Sequence, residues 1–75
     1  MSFADIIKAT RKKALMTQED FSKEINTSVP SINRWENNRG KPSTSTMKRI
    51  KDFCERNNLP YDEIESEWIG ISKDS

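Results

Sequence analysis

Histidine is absent from the chain, and with it the commonest general base, the commonest metal ligand and the usual partner of a nucleophilic serine or cysteine. An enzymatic reading loses most of its tools. The single cysteine, Cys54, excludes an intramolecular disulfide and a cysteine-based zinc site, and fits a reducing, intracellular setting. No apolar run exceeds three residues, which excludes a transmembrane span, and the N-terminus lacks the apolar core of a signal peptide, so a cytoplasmic protein is expected. With two glycines in all, no phosphate-cradling glycine loop is present. At 75 residues there is room for one small domain. Such a domain buries only ~60% of the surface its unfolded chain exposes, which argues against a deep catalytic pocket.

What is there is charge, together with enough apolar residues to fold around a thin core: 33% of residues are charged and 32% hydrophobic. The net charge of +1 hides an uneven distribution. Residues 1–42 carry eight Lys and Arg against five acids, and residues 43–75 carry five against seven. The basic end is the candidate nucleic-acid end.

No stretch alternates apolar and polar residues in the manner of a strand, whereas helix signals recur. Ser2 with Asp5 resembles a capping box ahead of Phe3, Ile6, Ile7 and Ala14, which share one face of a first helix. Thr17 with Asp20 repeats the cap before a short helix from Gln18 to Ile25, and Asn26, tolerant of the left-handed conformation, ends it. A third helix starts within one residue of Val29, with Pro30 in its first turn and either Ser28 or Val29 as cap. Residues 37–42 are turn chemistry throughout. Ser43 caps a fourth helix carrying Met47, Ile50, Phe53 and Cys54, closed by Asn57 and Asn58. After Pro60 a last short helix places Tyr61, Ile64 and Trp68 on one face and ends at Gly70. The expected organisation is one all-α domain over residues 1–70, with a frayed tail over 71–75.

The second and third helices, joined by a tight turn, have the geometry of a helix-turn-helix. Ser22 supplies a small residue at the crossing, Asn26 a residue tolerant of positive φ, and Ile32 an aliphatic anchor. At ~100° per residue, Ile32 and Trp35 point one way from the third helix, and Pro30, Asn33, Arg34 and Asn37 the other. That polar, cationic face suits a DNA major groove, where Arg binds guanine and Asn binds adenine; an ordinary solvated face is the alternative.

The runs Thr17-Gln18-Glu19-Asp20-Phe21, Ser31-Ile32-Asn33-Arg34-Trp35-Glu36-Asn37 and Lys41-Pro42-Ser43, in that order and spacing, resemble the helix-turn-helix family of phage repressor and Cro proteins, also called the xenobiotic response element family. The likeness covers roughly residues 3–54. It departs from the usual pattern at Ser22, where alanine is common, at Asn26, where glycine is common, and at Asn38-Arg39-Gly40, which displaces the glycine that usually follows the glutamate.

The resemblance implies a compact five-helix, lambda-repressor-like DNA-binding domain whose third helix reads the major groove and whose dimers bind two half-sites about one DNA turn apart. By position, Val29, Pro30, Asn33 and Arg34 match the residues facing bases; Val29 and Pro30 either read a thymine methyl or fill space. Gln18 matches a glutamine that holds a phosphate and braces the third helix. Ser31, Asn37, Arg39 and Lys41 are placed for phosphates, each with cap, turn or solvated loop as its bland alternative. Arg11 and Glu36 match an ion pair that locks the recognition helix to the scaffold. The implied function is a sequence-specific double-stranded DNA-binding transcriptional regulator, a repressor acting as a homodimer, with no cofactor, metal, membrane or small-molecule substrate. A protein-interaction module using the acidic, aromatic C-terminal segment is the alternative.

Overall fold

A computed structural model describes residues 2–73 of the chain. Among them are the helices α1 (Phe3–Lys13), α2 (Gln18–Glu24), α3 (Val29–Glu36), α4 (Thr44–Arg56) and α5 (Asp62–Lys73), and no strand. Four begin on a hydroxyl cap. Ser2 accepts from the Asp5 amide, Ser28 from Ser31 and Ser43 from Thr46, each side-chain oxygen serving one of the amides that the first turn leaves without a partner. At α2 the box is complete, because Thr17 Oγ1 accepts from the Asp20 amide while the Asp20 carboxylate accepts from the Thr17 amide. Ser28 rather than Val29 caps α3, so Pro30 falls at the second helical position, where no intrahelical bond is lost.

The C-termini share one solution. Leu15, Asn26, Asn38 and Asn58 follow the caps of α1 to α4 at φ of 59°, 53°, 63° and 55°. The next residue's amide then reaches back to the helix: Met16 to the Arg11 carbonyl, Thr27 to Ser22, Arg39 to Arg34 and Leu59 to Cys54, at 2.8–3.2 Å. These are Schellman closures, built in a chain whose glycines lie elsewhere. Asparagine accepts the left-handed region at modest cost. Leucine does not, and Leu15 is also 92% exposed.

The apolar stripes meet in one core. Ile7, Phe21, Ile25, Ile32, Ile50, Phe53 and Cys54 are fully buried, and Phe21 meets Phe53 edge-on with ring centroids 5.1 Å apart. Burial pushes the Cys54 thiol up to about 11, so it behaves as a small core hydrophobe. Helix α1 packs on α3 and α5, and α2 packs on α3, with Ser22 of α2 buried. The 11.1 Å radius of gyration is what one packed unit of this length should have, about 11 Å.

The C-terminal helix departs from the sequence reading. Instead of stopping at Gly70 and fraying from Ile71, α5 continues through Gly70 to Lys73; Asp74 and Ser75 lie outside the described residues. Ile64, Trp68 and Ile71, spaced i, i+4, i+7, prolong one stripe past the glycine, whose ~1 kcal/mol disadvantage to alanine a helix can absorb.

Leu15 should be a stabilising position to alter. Leu15→Gly removes the left-handed strain and loses no packing, so the chain should gain about 0.5–1 kcal/mol after the glycine's extra unfolded-state entropy is subtracted. Thermal denaturation should show the midpoint rising by about 4 °C. A fall would mean that Leu15 makes an apolar contact outweighing its backbone strain.

Candidate nucleic-acid interface

Glu36 is the last residue of α3, where a carboxylate meets the negative end of the helix dipole, and its side chain is only 3% exposed. Three N–H groups, from two side chains elsewhere in the chain, compensate it. Arg11, near the end of α1, donates through Nε to Oε2 at 2.8 Å and through Nη2 to Oε1 at 2.9 Å, a two-pronged match of guanidinium to carboxylate. Gln18, the first residue of α2, donates from Nε2 to the same Oε1 at 3.1 Å. The remaining prong, Arg11 Nη1, donates to the Met16 carbonyl at 2.8 Å, which ties the end of α1 to the turn before α2. One carboxylate thus joins α1, α2 and the far end of α3.

The electrostatics follow from this geometry. Burial acts to raise the Glu36 carboxyl, but the hydrogen bonds from Arg11 and Gln18, with the charges of Arg11 and Lys8, outweigh it and hold the group below its ordinary range. The bond to Glu36 raises Arg11 in turn. Among the described residues, no buried side-chain polar atom lacks a hydrogen-bond partner.

With α3 held at its C-terminal end by this network and along its length by Ile32 and Trp35, the opposite face is bare. Val29, Pro30, Asn33, Arg34 and Asn37 are all exposed. Arg34 does not simply extend into solvent: its guanidinium lies against Gly40, where a Cβ would stand 3.2 Å from Nη2. Gly40 has no positive φ, so its use here is to let that guanidinium approach the loop backbone. Two candidate phosphate contacts are engaged within the chain. Ser31 Oγ is 2.9 Å from Ser28 Oγ, and Asn37 Nδ2 donates to the Asn33 carbonyl at 2.7 Å. Gln18 is half-buried and bonded to Glu36, so bracing α3 is the task its amide performs in this structure. Arg39 and Lys41 are exposed on the loop that follows α3.

Two contacts on that loop had no signal in the sequence reading. The Trp68 indole Nε1 donates to the Pro42 carbonyl at 2.8 Å, and Lys41 Nζ lies 5.8 Å from the centroid of the same ring. Both join segments far apart in sequence, where no local spacing announces them. Ile64, which shares one face of α5 with Tyr61 and Trp68, is 1% exposed and belongs to the core; the apolar surface left there is Ile69 and Ile71, beside half-buried Tyr61 and Trp68.

Fold and site together define a helix-turn-helix unit, α2 and α3 braced against α1. A helix-turn-helix family model of the Cro/C1 type matches residues 7–57, and the chain belongs to this family of DNA-binding transcription regulators, the one that includes phage repressor and Cro proteins. Neither a curated protein nor a solved structure gives a match. Among the described residues, no helix is long and apolar enough to cross a membrane, and no cluster of His, Cys, Asp and Glu is set to hold a metal.

Replacing Glu36 tests the network. Glu36→Ala leaves the Arg11 guanidinium largely buried without its counter-charge, a loss of about 3 kcal/mol, and the melting midpoint should fall by more than about 10 °C. The wild-type stabilisation has a definite pH window: because the folded carboxyl titrates below its unfolded value, it is full above about pH 4.5 and fades as pH falls through the folded value. The gap in melting temperature between wild type and Glu36→Gln should therefore narrow in acid. A gap independent of pH would show that the Glu36 charge contributes nothing.

Proposed function

We propose that the chain is a sequence-specific, double-stranded DNA-binding repressor that lays α3 in the major groove and works as a homodimer. The observation that carries this reading is the exposed Pro30, Asn33, Arg34 face on a helix whose reverse side and far end are both fastened to the scaffold. Sequence discrimination needs side chains whose positions are settled before DNA arrives. In this account Arg34 pairs with guanine O6 and N7, Asn33 with adenine, and Val29 and Pro30 meet a thymine methyl. Arg39 and Lys41 neutralise phosphates; Ser31 and Asn37 join them if their internal bonds exchange for phosphate oxygens. Gln18 sits at the α2 N-terminus, where helix amides favour an anion. No cofactor enters the scheme.

The second copy is assigned to the α4–α5 side. A groove of about 310 Å³ there is lined by Met47, Lys48, Lys51, Tyr61, Glu65, Trp68 and Ile69, so charges of both signs border apolar surface. The first turns of α5 carry Asp62, Glu63 and Glu65. Two copies related by a two-fold axis would set Glu65 of one against Lys48 and Lys51 of the other while covering Ile69.

Selection of bound duplexes from a random pool should return a two-fold symmetric site. On a series of single-base variants of that site, Arg34→Ala should erase the preference at one base pair in each half-site, a discrimination of ~1–3 kcal/mol. Arg39→Ala and Lys41→Ala should weaken binding equally on every sequence and lower the salt slope by roughly one each. An Arg34→Ala protein that keeps all base preferences demotes Arg34 to a phosphate contact. A wild-type protein with no preference among duplexes and little salt dependence would favour the protein-interaction module instead.

A further inference from the structure

The loop between α3 and α4 carries the two exposed cations assigned to phosphates, yet it has no secondary structure of its own to place them. Its conformation is fixed from both ends. At the α3 end the Arg39 amide donates to the Arg34 carbonyl at 2.8 Å. At the other end Pro42 is fully buried and its carbonyl accepts from Trp68 Nε1, a bond that spans 26 residues and belongs to neither flanking helix. Lys41, one residue earlier, has its ammonium over the same indole ring.

Packing alone does not call for an indole at 68. The ring is half-buried, and a phenyl group would cover much of the same apolar surface; what it lacks is the N–H. That N–H is directed at the backbone of the segment where Arg39 and Lys41 lie. Losing it frees one anchor of a short irregular loop, and the cost of ordering that loop then falls on DNA binding.

We propose that Trp68 is a positioning residue for DNA binding: through the Pro42 carbonyl it holds the 38–42 loop so that Arg39 and Lys41 stand beside α3 at the spacing of the phosphates they engage. This role rests on the DNA-binding reading above. It also makes the cationic edge of the recognition unit depend on how α5 is seated.

The test uses the full chain, Trp68→Phe, Lys41→Ala and the double variant, with a mixed-sequence duplex of about 20 base pairs as the probe. In the free protein, amide hydrogen exchange at Arg39, Gly40 and Lys41 should speed up about tenfold in Trp68→Phe while Ile7 and Phe53 keep wild-type protection. On DNA, Trp68→Phe should lose about three- to tenfold in affinity and lower the salt slope by about one. A merely structural role for the ring would not move that slope. In the double variant, Trp68→Phe should cost clearly less than it does in the wild-type background, because the part of its effect that passes through Lys41 is already lost and only the part through Arg39 remains. Unchanged loop exchange, or losses that add in full, would overturn the positioning role. A wild-type protein without duplex affinity at any salt sinks the DNA-binding reading and this role together; failure of the clamp alone appears as normal wild-type binding matched by Trp68→Phe. If Trp68→Phe unfolds the chain, benzothienylalanine at position 68, which keeps the ring size and lacks the N–H, carries the same expectations.

Discussion

A carboxylate taken out of water at the negative end of a helix is a poor element of stability unless something nearby outweighs both costs. Glu36 is in that position, and what outweighs them is the paired prongs of Arg11 and the amide of Gln18. Because the three donors come from the end of α1 and the start of α2, one acceptor sets the relative placement of three helices. The apolar stripe of Ile32 and Trp35 holds α3 against the core without fixing where its end must lie along the stripe. Hydrogen bonds of defined direction supply that register. A helix that is to discriminate bases needs both.

The same economy governs the chain's reversals. With its two glycines at positions 40 and 70, neither at positive φ, the protein closes four helices on left-handed asparagine or leucine residues. Each closure turns the chain within about two residues, which keeps the α2–α3 connection short. At α1 the closure is coupled to the ion pair, since Met16 donates its amide to the Arg11 carbonyl and accepts from the Arg11 guanidinium through its own carbonyl. Turn and network support one another there. Strain at Leu15 is the counterpart of using a bulky residue where glycine is ordinarily found.

What the sequence made legible was local. Thr17 with Asp20, Ser43, the early proline of α3 and the left-handed Asn26 are all set by neighbours within four residues, and each stands in the structure as read. Helical periodicity separated the buried Ile32 and Trp35 from the exposed Asn33 and Arg34 for the same reason. The pairing of Arg11 with Glu36 reached the reading only through family likeness, because 25 residues separate them and no spacing rule connects them. Errors concentrated where tertiary contact overrides local preference. Gly70 reads locally as a terminus, yet α5 runs past it to Lys73, and Ile64 of the same helix belongs to the chain's own core. The Trp68 bond to Pro42 and the rest of Arg34 on Gly40 left no trace in local pattern at all.

Arg11 and Glu36 hold α3 as one unit, and a double-mutant cycle reads the size of their coupling. Chemical denaturation of wild type, Arg11→Ala, Glu36→Ala and the double variant gives the coupling free energy with the separate truncation costs removed. A coupling of at least about 2 kcal/mol is expected, with the double variant little less stable than either single one, since removing both partners leaves no uncompensated charge. A coupling near zero, with the two losses adding, would contradict it and leave α3 held by Ile32 and Trp35 alone.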